Sequence, residues 1–216
     1  MSTKSSLYIL IFYHIFQGMS RTTVYNSNMH EQDIAQIHII KDFLSPEEVK
    51  FYIDYIDNNP QVFKDSTIHG ELRKILMFGK DSFHKDKSPV TLDIIGDIED
   101  KLRTELFPKV ETTIKETYGN RRNLMVNSFF MGLQFAGAKV DHHIDTDGGV
   151  NMQFKYSAII YLNEMKSGGE LTFPDLGYTY TPKAGEMVVF PSKPLQFAHA
   201  VEEIHETRYT LPIWVT

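Results

Sequence analysis

The stretch HHIDTD, residues 142–147, sets an imidazole and a carboxylate two positions apart at His143 and Asp145. A pair of that kind can hold a divalent metal from a single turn of backbone. With 9 His and 28 acidic residues in 216, chance alone supplies about one His-x-Asp/Glu, so context has to decide. His84-Lys85-Asp86 has the same spacing but lies in KDSFHKDKSP, a charged stretch with no adjoining strand, and reads as solvated surface. His143 instead ends a β-like run and precedes the loop TDGGVN. Ile144 between the two polar residues would face the other way. His142 and Asp147 flank the pair and read as loop residues.

A third ligand should come from a later strand. His199 in FPSKPLQFAHAV is the candidate, following two strands and a proline turn among small and apolar neighbours. Two neutral imidazoles and one carboxylate cap one face of an octahedron and leave positions open, which suits non-haem Fe(II) with an exchangeable co-substrate. Zinc with the same ligands would activate a water for hydrolysis. Arg208 bears on that choice, because it sits nine residues beyond His199 on an apolar final strand, where an inward charge needs an anion. A 2-oxo acid could chelate iron at one end and meet the guanidinium with its far carboxylate. The alternative is a rim arginine paired with Glu202, Glu203 or Glu206.

The elements that must position these residues fall into two halves. Residues 36–44, QIHIIKDFL, read as a short strand. Ser45, Pro46 and Glu48 then open a helix whose face carries Val49, Tyr52, Ile53 and Ile56. Residues 60–88 are polar and irregular. Ser88-Pro89 opens a longer helix with the stripe Ile95, Ile98, Leu102 and Leu106, kinked or ended by Pro108, after which Val110–Tyr118 continues helically. From Leu124 onward, short runs rich in Val, Ile, Phe and Tyr alternate with Gly, Pro and Asp turns and give roughly eight strands. The expectation is α+β: a double-stranded β-helix (jelly roll, cupin-like) with N-terminal helices packed on one sheet. The divisions are an N-terminal extension over 1–35, a helical part over 36–123 and a jelly-roll core over 124–216.

Composition narrows the chemistry. Zero cysteine excludes disulfides, zinc ribbons and a thiol nucleophile, so any metal site is built from His, Asp, Glu and water. A net charge of -6 argues against a nucleic-acid surface. Leu7–Phe16, LYILIFYHIF, is too short to span a bilayer as a helix and resembles the apolar part of a signal peptide without a good cleavage site. No stable membrane span is expected, and the expected location is cytoplasmic, with a weak signal or anchor as the other reading of that run.

The sequence resembles the 2-oxoglutarate- and Fe(II)-dependent dioxygenase superfamily, prolyl 4-hydroxylase type. The pieces that carry the likeness are HIIKDFLSPEEVKFYIDYI, AGAKVDHHID, YLNE, GGELTFP, PKAGEMVVFPS, HAV and RYT, in this order. The resemblance implies His143, Asp145 and His199 as iron ligands and Arg208 as partner of the distal 2-oxoglutarate carboxylate. It also implies Tyr161 beside that carboxylate and Trp214 near the metal, both of which read otherwise as core aromatics. Many prolyl 4-hydroxylases have lysine where this chain has Arg208, and many have tyrosine on the strand where it has Gln134 and Phe135.

The implied activity is hydroxylation of an unactivated C–H by O2, with 2-oxoglutarate converted to succinate and CO2, and L-ascorbate as an auxiliary reductant. The implied substrate is a peptidyl proline, with a free amino acid, nucleobase or other small metabolite as the runner-up. A non-catalytic cupin-like module holding a structural metal is the reading from a different class. Residues 61–87 and the loop after Asp145 are the expected specificity segments.

Overall fold

The structure, a computed structural model, describes residues 27–66, 70–78, 89–120, 122–146 and 153–216. Leu7–Phe16, His84-Lys85-Asp86 and the loop from Asp147 lie outside the described residues. In chain order the elements are α1 (Ser27–Ile34), β1 (His38–Ile40), α2 (Pro46–Asn58), β2 (Lys64–Ser66), β3 (Gly70–Phe78) and α3 (Pro89–Lys101). A π segment (Leu102–Leu106) leads into α4 (Phe107–Thr117). The strands β4 (Val126–Gln134), β5 (Val140–His143), β6 (Tyr156–Tyr161) and β7 (Leu171–Phe173) follow, then β8 (Tyr178–Tyr180), β9 (Met187–Pro191), β10 (His199–Val201) and β11 (Arg208–Val215).

The strands form two antiparallel sheets. The larger has the order β1-β9-β6-β11-β4-β3-β2 and the smaller β5-β10-β7-β8. Successive side chains along a strand point to opposite faces, so each strand of the larger sheet serves two cores. Leu211, Ile213 and Val215 join Leu76, Phe129, Met131 and Ile160 in a cluster with Tyr52, Ile56, Ile98, Leu102, Val110 and Ile114 from the helices. The opposite face contributes Tyr161, Val188 and Phe190 to a second cluster between the sheets, with Val140, Leu171, Phe173, Phe197 and Val201. The jelly-roll class and the helical layer on one sheet are as expected.

Local sequence accounts for the scaffold. Ser45 caps α2 with a complete capping box: its hydroxyl accepts from the Glu48 amide, and the Glu48 carboxylate accepts from the Ser45 amide at 2.8 Å. Gly185 adopts φ 79° and passes so close to α2's leading loop that a Cβ would lie 2.7 Å from the Leu44 carbonyl oxygen. The site-bearing core and the helical layer are thereby tied together.

One expectation holds with a detail added and one needs correction. The chain continues helically past Pro108, as expected. It passes through the π segment, where the Phe107 amide bonds the Leu102 carbonyl, and continues as α4, so one widened turn absorbs the proline. Residues 60–88 are not wholly irregular, because β2 and β3 extend the larger sheet and β3 pairs along β4 from Arg73 to Phe78. The strand was hidden because both of its faces carry apolar residues: Leu76 and Phe78 towards the helices, Ile75 and Met77 on the other side. Period-2 alternation therefore vanishes.

Candidate functional site

His143 closes β5 and stands directly opposite His199, the first residue of β10. Direct cross-strand partners project to the same side, so the two imidazoles meet, with ring centroids 4.4 Å apart. Asp145 follows in the next turn and brings its Oδ1 to 3.5 Å from His143 Nε2 and its Oδ2 to 3.9 Å from His199 Nε2. One ligand atom from each of the three lies within 4.8 Å of the others, a grouping that could hold a metal ion.

Each member is braced from behind. His143 Nδ1–H donates to the Asp141 carbonyl at 2.9 Å and His199 Nδ1–H to the Phe197 carbonyl at 3.1 Å. A carbonyl only accepts, so Nδ1 carries the proton and Nε2 presents its lone pair to the shared centre. Asp145 Oδ2 accepts from the Ser157 hydroxyl at 2.5 Å, and Ser157 in turn meets Ser192 at 2.7 Å. The carboxylate is thus anchored to β6 of the larger sheet although its ligand partners are on the smaller one.

The electrostatics favour an ionised carboxylate beside a neutral His199 and act on His143 in the opposite sense. Burial alone would raise the Asp145 carboxyl, yet the contacts with His143, His199 and Ser157 hold it down at about 2. Burial among Phe173 and Phe190 pushes His199 below its usual value. For His143, burial is again the largest single influence and works downward, but the Asp145 hydrogen bond and charge together with the Asp141 carbonyl outweigh it, and the net shift is upward.

Arg208 opens β11 on the inward face and is 3 % exposed. It is no rim arginine: Glu206 accepts from the Lys166 amide instead, and Arg208 donates from Nη1 to Gln134 Oε1. Its Nε and Nη2 are buried with no partner, as are the Tyr161 hydroxyl and Gln134 Nε2. The Tyr161 ring centroid lies 5.1 Å from the guanidinium carbon. Several donors therefore converge with no acceptor among the described residues, which is costly unless an anion completes the site. A carboxylate of a bound 2-oxo acid has the charge and the planar geometry that this donor set lacks.

Trp214 shares the inward face but lies six residues along β11, beside Ser157 on β6 and so at the metal end. It packs against Phe130 and Phe154, with centroids 5.5 and 6.0 Å away, and its indole N–H is buried without a partner. His142 points away from the centre towards Asp175, 3.9 Å off. Ser157, Ser192 and Gln134 were not picked out by sequence as site partners. The one available signal was their polarity at inward positions of otherwise apolar strands.

A family profile described as the 2OG-Fe(II) oxygenase superfamily matches residues 130–216. The match covers 87 of the 216 residues and marks a likeness of that part of the chain to the superfamily. The match contains the whole His143/Asp145/His199 grouping together with Gln134, Tyr161 and Arg208. The profile's description names Fe(II) and 2-oxoglutarate, which fits a His/Asp/His grouping near a buried arginine.

Solved structures agree on the fold. A viral collagen prolyl hydroxylase from Paramecium Bursaria Chlorella virus-1, in its 2OG complex, is 17% identical, covers 83% of this chain and 95% of its own, and superposes with a TM-score of 0.56. A Pseudomonas putida prolyl-4-hydroxylase is 21% identical over 88% of this chain and 97% of its own, with a TM-score of 0.56. A Trichoplax adhaerens prolyl hydroxylase in complex with a hypoxia inducible factor peptide fragment is 18% identical over 99% and 94%, with a TM-score of 0.57. No curated protein matches the chain. Among the described residues no helix is long and apolar enough to cross a membrane.

Proposed function

We propose that this protein is a 2OG-Fe(II) oxygenase that hydroxylates an unactivated C–H bond of a peptidyl proline, using O2 and 2-oxoglutarate and releasing succinate and CO2. In this reading His143, Asp145 and His199 hold Fe(II), and Arg208 binds the distal carboxylate of 2-oxoglutarate with Tyr161 and Gln134 beside it. Trp214 flanks the metal end, where it would face the co-substrate's reacting end or the incoming substrate. The observation that carries the reading is the pairing of two sites: a braced His/Asp/His centre, and, deep between the two sheets, orphaned Arg208 and Tyr161 donors.

Fe(II) supplies the O2 activation; the chain's own residues do the positioning. The Nδ1–H bonds to Asp141 and Phe197 lock both imidazoles in the tautomer a metal needs, and Ser157 steers the carboxylate. Arg208 fixes the co-substrate's orientation with charge-assisted hydrogen bonds in a buried setting where they are strong. Phe173, Phe190 and Phe197 keep water from the His199 side. L-ascorbate would restore iron oxidised in turnovers without substrate. The peptide part of the reading is supported by fold likeness to prolyl hydroxylases, one of them solved with a peptide fragment. A cytoplasmic location is part of the proposal, and the cysteine-free composition is compatible with a reducing compartment.

The test is mass spectrometry of proline-containing peptides incubated with the Fe(II)-loaded protein, 2-oxoglutarate and air, with succinate measured in parallel. Gain of one oxygen on proline, matched by succinate, is expected. Steady succinate release with no peptide modified would retire the proline assignment in favour of a small-molecule substrate. Metal binding with no 2-oxoglutarate turnover at all would favour a non-catalytic module.

A further inference from the structure

Arg73 is a second guanidinium on the inward face. It lies on β3 directly across from Gln134 of β4, which on its other side lies directly across from Arg208 of β11. Direct cross-strand partners share a face, so the two arginines flank one glutamine. Gln134 accepts from Arg208 alone, and Arg73 Nε is buried without a partner. Among the described residues no carboxylate bonds or ion-pairs with either arginine.

The Arg73 head group lies over the Phe130 ring, its carbon 4.7 Å from the centroid, and Phe130 in turn neighbours Trp214. Gly132 between Gln134 and Phe130 presents no side chain, and a Cβ there would come within 3.2 Å of the Phe130 ring. Arg73 thus occupies a gap between the buried Arg208 and the aromatic pair at the metal end. The two sides of this face differ in access: Arg208, Thr210 and Tyr161 are buried, whereas Arg73, Ile75, Met77 and Trp214 keep partial exposure. Burial and the nearby Arg208 charge push Arg73 down to about 10, and its own charge is felt at His143.

Two desolvated like charges without an anion cost stability, and such a cost persists where a ligand relieves it. The distal carboxylate of 2-oxoglutarate serves Arg208. Arg73, one strand nearer the accessible side, is left with none. We infer that Arg73 binds a carboxylate of the prime substrate, so that the molecule hydroxylated here is acidic next to the reacting carbon: a peptide with Asp or Glu beside the target, or a free amino acid. This rests on the assignment of the iron and 2-oxoglutarate sites above.

The experiment uses the full chain with Arg73→Gln and Arg73→Lys. In the ligand-free protein Arg73→Gln is expected to raise Tm by about 2–4 °C, because it removes a buried repulsion; a packing role predicts a fall. With Fe(II) and saturating 2-oxoglutarate, succinate release is compared for capped Ala-Pro-Glu against Ala-Pro-Gln tripeptides, and for L-proline against L-prolinamide. Wild type should favour the carboxylate member of one pair by about 10-fold or more, with the pair that responds naming the source. Arg73→Gln should erase that preference and Arg73→Lys should keep part of it.

The inference fails if Tm falls, if acidic and neutral probes are equivalent, or if none of the four probes responds. It fails too if Arg73→Gln raises the 2-oxoglutarate requirement as much as Arg208→Gln, since the second carboxylate would then be the co-substrate's own. In each of these cases the 2-oxoglutarate site stands. Absence of any 2-oxoglutarate turnover by wild type would sink both readings together.

Discussion

The two ends of the space between the sheets are built on opposite principles. At the metal end His143, Asp145 and His199 each have a hydrogen-bond partner behind them. At the arginine end Arg208, Tyr161, Gln134 and Arg73 carry buried donors with no partner among the described residues. The difference teaches that preorganisation can take two forms. A metal site is prepared by saturating the shell around its ligands, so that only the ligand lone pairs face the ion. An anion site is prepared by leaving donors unsatisfied, so that the anion replaces a penalty with several charge-assisted bonds.

The contrast can be broken from either end, and the largest effect is expected at the metal. Asp145→Ala removes the one anionic ligand and should abolish Fe(II)-dependent succinate release, while circular dichroism shows a folded protein. Arg208→Gln comes next: losing a buried charge-assisted contact worth roughly 1.5–3 kcal/mol should raise the 2-oxoglutarate requirement about 10- to 100-fold, with Fe(II) affinity little changed. The reverse pattern, iron lost and co-substrate retained, would show that Arg208 supports the metal site instead.

Ser157→Ala sharpens the comparison because it touches only the bracing. It should weaken Fe(II) binding by about 10-fold, within the range seen for partners of ligating groups, and leave 2-oxoglutarate affinity in the iron-loaded protein nearly unaltered. The smallest effect is one of pH. Metal ligation needs neutral imidazole, and the His143 pKa is raised in the metal-free protein, so protons compete from above the ordinary histidine value near 6.5. Apparent Fe(II) affinity should therefore fall as pH drops through about 7 to 6. An affinity flat across that interval would contradict the Asp145–His143 coupling.

Much of this was legible in sequence, for identifiable reasons. His143 and Asp145 could be sorted from the other His-x-Asp pair because they follow a β-like run and precede a glycine loop, His199 because it lies among small and apolar residues, and Arg208 stood out as a charge on an apolar strand. The eight strands after Leu124 were readable because each is short and bounded by Gly, Pro or Asp. What stayed hidden has two physical origins. β3 is apolar on both faces, since one side packs on helices and the other lines the site, and without alternation it looked irregular. Missing β3 meant missing Arg73. Ser157 and Ser192 were invisible as bracing residues because their partners come from positions 12 and 35 residues away in the chain.

The central claim, that the space between the two sheets carries a metal centre and an anion site fit for 2-oxoglutarate, is tested most directly by anaerobic titration. Apo-protein would be loaded with Fe(II) and then with 2-oxoglutarate while the weak visible absorption of the chelate is followed, with His143→Ala and Arg208→Gln alongside. The account predicts a saturable band in wild type, none without His143, and a band in Arg208→Gln reached only at far higher 2-oxoglutarate. Folded, iron-loaded wild type that gives no band, or an Arg208→Gln titration that overlays wild type, would contradict it.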